Sequence, residues 1–100
     1  MPAYFAGDIL ASGSIYYGGG FTASRTWFGA YRIVSTGPTP SGKPFVIVVT
    51  PVTPNMIGRV VQYFKDNVTG IHYIDVEIRN LQGVATDAEF HFIAIERSGP

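Results

Sequence analysis

The stretch that decides the fold is residues 87–96, Asp87-Ala88-Glu89-Phe90-His91-Phe92-Ile93-Ala94-Ile95-Glu96. Its side chains alternate as in a strand, with Phe90, Phe92 and Ala94 on one face and His91, Ile93 and Ile95 on the other. Both faces are largely apolar, and a strand of that kind is expected to be covered on both sides. In so short a chain the expected cover for one side is another copy of the chain. Phe90 and Phe92 are expected in the core, and His91, Ile93 and Ile95 at a subunit interface.

The composition points the same way. The chain has 100 residues, of which 46% are hydrophobic and only 14% charged, against a usual charged share of about 25%. One domain is expected, with a thin margin of stability. Formal net charge is zero, so nothing draws the chain to nucleic acid or to an anionic membrane, and little charge repulsion opposes self-association. The chain lacks cysteine, which excludes disulfides and thiolate metal sites. Residues 1–8 lack the basic start and apolar run of a signal peptide. No stretch approaches the roughly 18 apolar residues of a membrane-spanning helix. The expectation is synthesis in a cytoplasm, with any outside role reached on a particle.

Turn residues recur at short intervals: Gly18-Gly19-Gly20, Gly29, residues 37–42, Pro51 to Asn55, Asp66-Asn67 and Asn80 to Gly83. The runs between them are rich in Val, Ile, Tyr, Phe and Thr, which predicts an all-β sandwich or barrel. We expect a small antiparallel β-sandwich of about six to seven strands. The first is read over 7–17, with Ile9, Ala11, Gly13 and Ile15 inward. Strands follow over 21–26, 30–35, 44–50, 71–79 and 87–96. The run Phe45-Val46-Ile47-Val48-Val49 is continuously apolar, a second candidate for burial on both faces, and places Phe45 and Ile47 at the expected interface. Residues 56–66 allow two readings. Met56, Ile57, Val60, Val61 and Phe64 fit helical spacing, but Gly58, Val60-Val61 and Tyr63-Phe64 favour a strand. Asp87 is expected to order the start of the last strand through backbone amides.

Read in order, 11–15, 21–26, 29–33, 44–51, 68–71, 80–83 and 87–95 resemble a small β domain common at the C-termini of phage tail-fibre proteins. The ending is also similar to that of H-type lectins, which are trimeric six-stranded sandwiches that bind sugars. The resemblance spans roughly residues 7–96. It implies a homotrimer and a particle-borne role, in a virion or outside the cell. It assigns no sugar-contacting residue, because the lectin positions lie outside the matched motifs. The chain carries no coiled-coil or collagen-like shaft pattern.

No catalytic constellation stands out, and no enzyme, metal or cofactor is expected. There is no Gly-x-Ser-x-Gly elbow, and Gly18-Gly19-Gly20 lacks the Lys-Ser/Thr of a phosphate loop. His72 and His91 are expected as core or interface histidines. A pairing of the two beside Glu89 or Asp75 is the metal alternative. Three copies of His91 about a trimer axis would offer an ion site or an acid switch. Sugar binders commonly present an aromatic face beside polar groups, which nominates Trp27 with Arg25, Tyr17 and Arg59. The competing expectation is that Trp27 and Phe28 plug the end of the sandwich or the subunit interface. The expected function is a tail-fibre tip or receptor-binding domain recognising surface carbohydrate. The alternative is a structural module that trimerises, caps or decorates a particle and binds another tail component.

Overall fold

The computed structural model of the protein describes residues 4–36 and 45–96. The loop read over 37–43 and the tail over 97–100 lie outside the described residues. Eight strands form two four-stranded antiparallel sheets, and no described residue is helical. Sheet I has the order β2 (Ile15–Gly18), β1 (Tyr4–Ile9), β8 (Phe90–Glu96), β5 (Phe45–Pro51). Sheet II has the order β3 (Phe21–Trp27), β4 (Ala30–Ser35), β7 (His72–Asn80), β6 (Met56–Lys65). The architecture is sandwich-like. Strands β5 and β6 lie side by side where the chain passes from one sheet to the other.

The core is the set of inward alternate residues from both sheets. Ile9, Phe90, Phe92 and Ala94 of sheet I meet Phe21, Tyr31, Ile33, Ile74, Val76 and Ile78 of sheet II. Phe21 and Phe92 pack edge to face at 4.9 Å, as do Phe5 and Phe45 at 5.0 Å. Such pairs add specificity to the burial itself. At one end Tyr31 leans on Phe90, and its hydroxyl donates to the Ala11 carbonyl and accepts from the Ala88 amide. At the other end His72 is fully buried, stacked on Tyr63 and close to Phe45. Its Nδ1 lies 2.7 Å from the Tyr63 hydroxyl, which also accepts from the Phe45 amide. His72 is thus a satisfied core histidine, remote from His91 on the outside of sheet I. The paired-histidine alternative does not form, and Asp75 is held by Arg32.

Two readings of the sequence need correction. The strand expected over 7–17 is two strands, β1 and β2, which raises the total to eight. Between them Leu10 and Ser14 close a tight turn, with Leu10 N donating to Ser14 O, Gly13 N to Leu10 O, and Gly13 at φ 94°. Local apolar alternation carried no mark of that reversal. Phe45 is a core residue, not an interface one, and Ile47 also packs against the core. Their register partners Glu96 and Ala94 show why: on β5 the odd positions point inward and Val46 and Val48 outward. Within the chain β5 and β8 are covered on one face, and the other is the face for which a second copy is the expected cover. Val46, Val48, Ile93 and Ile95 are exposed. Residues 56–65 are a strand, kinked by a bulge near Val61.

Asp87 bonds a backbone amide as expected, but across the fold at Gly29 and together with Arg25. Its carboxylate accepts from Gly29 N at 2.7 Å and Arg25 Nε at 2.9 Å, tying the β3–β4 hairpin to the approach of β8. Gly29 must be glycine here, since φ is +65° and a Cβ would sit 2.5 Å from the Ile78 carbonyl. The Arg25 hydrogen bond, with help from Gly29, holds the Asp87 carboxyl below its ordinary value. A depressed folded value contributes stability that is present above the unfolded value and is lost as pH falls through the folded one. The stability gap between wild type and Asp87→Ala, measured by urea unfolding, is therefore expected to shrink from about pH 5 to about pH 2.5. A gap that stays constant with pH would remove Asp87 as a charged tie.

Candidate functional site

The outer face of sheet II mixes a charged lattice with exposed apolar side chains on β6, Ile57, Val61 and Phe64. Arg32 grips Asp75 with two hydrogen bonds of 2.8 and 3.0 Å, and Glu77 accepts from Arg79 and Arg59. Phe64 stacks on Tyr73 at 4.8 Å, and the Arg32 guanidinium lies over both rings. Exposed pairs of this sort contribute little stability but keep a face hydrated. The outward side chains of the β8–β5 half of sheet I include Val46, Val48, Ile93 and Ile95, with Thr50 and His91 at one end. Val48 is 54% exposed and Ile93 37%.

The other half of sheet I holds a cavity. Cross-strand register places Tyr17, Asp8, His91 and Thr50 in one row across β2, β1, β8 and β5. A cavity of about 490 Å³ opens on this row, with Tyr16 and Tyr17 beside it and Ala6 and Gly7 in its floor. That size suits a small ligand. Gly7 faces inward, where a Cβ would lie 2.5 Å from the core Phe21 ring, so glycine there lets β1 pack closely on sheet II. Tyr16 and Tyr17 are strongly exposed, an arrangement that offers ring faces to a ligand.

Polar groups converge at the inner end of the cavity. His91 Nε2 lies 3.1 Å from Asp8 Oδ2. Glu89, two residues before His91, has a carboxylate close to both. The Asp8 carboxyl beside it raises the Glu89 carboxyl above its ordinary value; partial burial acts the same way, and His91 opposes. Asp8 itself is 13% exposed at the side chain, and its Oδ1 is fully buried without a hydrogen-bond partner among the described residues. The row can bind hydroxyl-rich or cationic ligands: carboxylates accept, the imidazole accepts or donates, and the tyrosine rings cover apolar C–H faces.

The residues nominated from the sequence fall into three places. Arg25 and Trp27 sit at the β3–β4 corner with Phe28. Trp27 is edge-on to Phe28 at 5.4 Å, and the Arg25 guanidinium lies 4.9 Å from the Phe28 ring centre. Trp27 is 69% exposed, so neither it nor the half-exposed Phe28 plugs the end of the chain's core. Tyr17 belongs to the cavity on sheet I. Arg59 is on β6, hydrogen bonded to Glu77 and three strands from Trp27 along one register row. Inter-strand spacing makes that gap roughly 14 Å. The four do not form one site. Tyr16 and Asp8 are not nominated by the sequence, and Glu89 is nominated there only beside a pair of histidines. Glu89 and His91 share a strand face in the sequence, but only the β1–β8 pairing brings Asp8 to them, across 83 residues.

Comparison with protein-family models, with curated proteins and with solved structures gives no match.

Proposed function

We propose that this chain is a non-enzymatic recognition domain that self-associates through the outer β8–β5 face of sheet I and binds carbohydrate in the adjoining tyrosine cavity. The carrying observation is the continuous apolar patch on the outer β8–β5 half of sheet I, where Val46, Val48, Ile93 and Ile95 lie uncovered on two paired strands. A second copy of the chain is the occupant favoured by zero net charge and by the resemblance to trimeric tail-fibre and lectin-like domains. Threefold association is the symmetry that resemblance implies. Several weak sugar sites on one rigid assembly would gain avidity without new contacts.

The cavity is favoured over the Trp27 corner for the ligand, because it joins two exposed tyrosine rings with their hydroxyls to a concave surface. At the corner Arg25 is already engaged by Asp87. A glycan array probed with the labelled protein tests this. Tyr17→Ala is expected to weaken binding roughly tenfold or more, and Trp27→Ala to leave it unchanged. A positive array that is indifferent to Tyr17→Ala would reject the cavity. A blank array with binding to whole particles would replace carbohydrate recognition by the structural reading, a module that caps or decorates a particle.

A further inference from the structure

We propose that Asp8, Glu89 and His91 form a binding site for a divalent metal ion of the zinc class, with an open coordination position facing the tyrosine cavity. One ligand atom from each residue can be chosen so that all three lie within 4.8 Å of one another. A tetrahedral zinc ion with bonds of about 2.0–2.2 Å needs its ligand atoms roughly 3.4 Å apart, a contraction within the reach of side-chain torsions. The backbone already supplies the convergence. Asp8 and His91 are register partners on β1 and β8, and Glu89 precedes His91 by two residues, on the same side.

Two further observations point to a cation. The first is the Asp8 oxygen that is buried without a donor. A buried carboxylate oxygen is costly unless something positive or protic meets it. The second is that Asp8 and Glu89 each bring a carboxylate oxygen to the same small space as the His91 imidazole. Like charges so placed repel, and a cation between them relieves the repulsion. The imidazole decides which cation. Calcium and magnesium take oxygen ligands in larger number, whereas one nitrogen and two carboxylate oxygens suit zinc and its neighbours. Three protein ligands with space alongside is the pattern of an open site, in which a water or a ligand oxygen completes the shell. The cavity beside Asp8 and His91 provides that space.

This inference does not depend on self-association or on sugar binding, and its test uses neither. The full chain is titrated with zinc chloride in a calorimeter, in a buffer that does not chelate, with calcium chloride in parallel. One zinc ion per chain is expected, with calcium at least about tenfold weaker. Glu89→Gln and His91→Gln are each expected to weaken zinc binding by about tenfold or more. Both positions are at the surface or partly exposed, so these variants fold, and a thermal melt checks that they do. Asp8→Asn is expected to weaken it further; should that variant melt early, the other two decide. No stoichiometric zinc binding overturns the proposal. Binding lost in His91→Gln but unchanged in Glu89→Gln also overturns it, since that is the behaviour of a lone surface imidazole.

Discussion

Val48→Lys is expected to leave the chain folded and to convert it from a self-associated species to a monomer in light scattering. Val48 lies on β5, an edge strand of sheet I, and points away from the core. A lysine there is the residue that natural edge strands use to stay single. In one isolated chain the substitution changes an exposed position, worth within about 0.5 kcal/mol of stability. In a symmetric assembly the same lysine is repeated in every copy, and each would be brought close to its equivalents or buried without a partner. Leaving a charge unpaired in an interface costs several kcal/mol, and about 1.4 kcal/mol is a tenfold loss of association. Ile93→Lys, on the neighbouring strand of the same face, is expected to act alike. A lysine at Gln62, on the outer side of sheet II, is expected to change nothing. A wild-type chain that is monomeric at micromolar concentration, or a Val48→Lys chain that associates as well as wild type, would remove the interface.

Phe90→Ala is expected to cost about 3–5 kcal/mol of folding free energy. Phe90 is fully buried, against Tyr31 at 5.0 Å between ring centres. Truncation would remove the ring and leave a void between the sheets that a stiff β-sheet cannot close. A small domain holds only about 5–15 kcal/mol in total, so the variant would lose a large part of it. At 100 residues, thermal midpoints move by about 4–8 °C per kcal/mol, which places the fall in the range of roughly 12–40 °C. The neighbour Ile95 has the opposite orientation on the same strand and is half-exposed. Ile95→Ala is expected to shift the unfolding midpoint of the monomeric Val48→Lys background by under about 0.5 kcal/mol. Comparable losses at Phe90 and Ile95 would show that the strand is not read in the right register.

These two substitutions differ by which side of a sheet a residue takes, and that is where legibility in the sequence divides. The alternation of His72, Ile74, Val76 and Ile78 against Tyr73, Asp75 and Glu77 named its core face directly, because one set is apolar and the other charged. The set Phe90, Phe92 and Ala94 was also assigned inward correctly. On β5 the same method had nothing to separate, since both sets are apolar, and Phe45 and Ile47 went to the wrong side. The turn at 10–14 was hidden for a related reason: its small residues fit a strand as well as a reversal. Of the candidate site, Tyr17 was nominated for its aromatic ring, but with companions that the fold places elsewhere.

What the sequence determined by itself is therefore local: an all-β chain, short strands, the position of most turns, and the inward set wherever polar and apolar residues alternate. Side-chain period is a property of neighbours in the chain, and it needs no knowledge of what lies across the sheet. Only the tertiary structure decided which strands pair and which face of a two-faced apolar strand is left uncovered. Those outcomes depend on contacts between residues far apart in sequence, such as Asp8 with His91. The residues 87–96 thus announced a strand with two apolar faces. The packing of sheet II against Phe90, Phe92 and Ala94 left His91, Ile93 and Ile95 on the outside, where the cavity adjoins the face proposed for assembly.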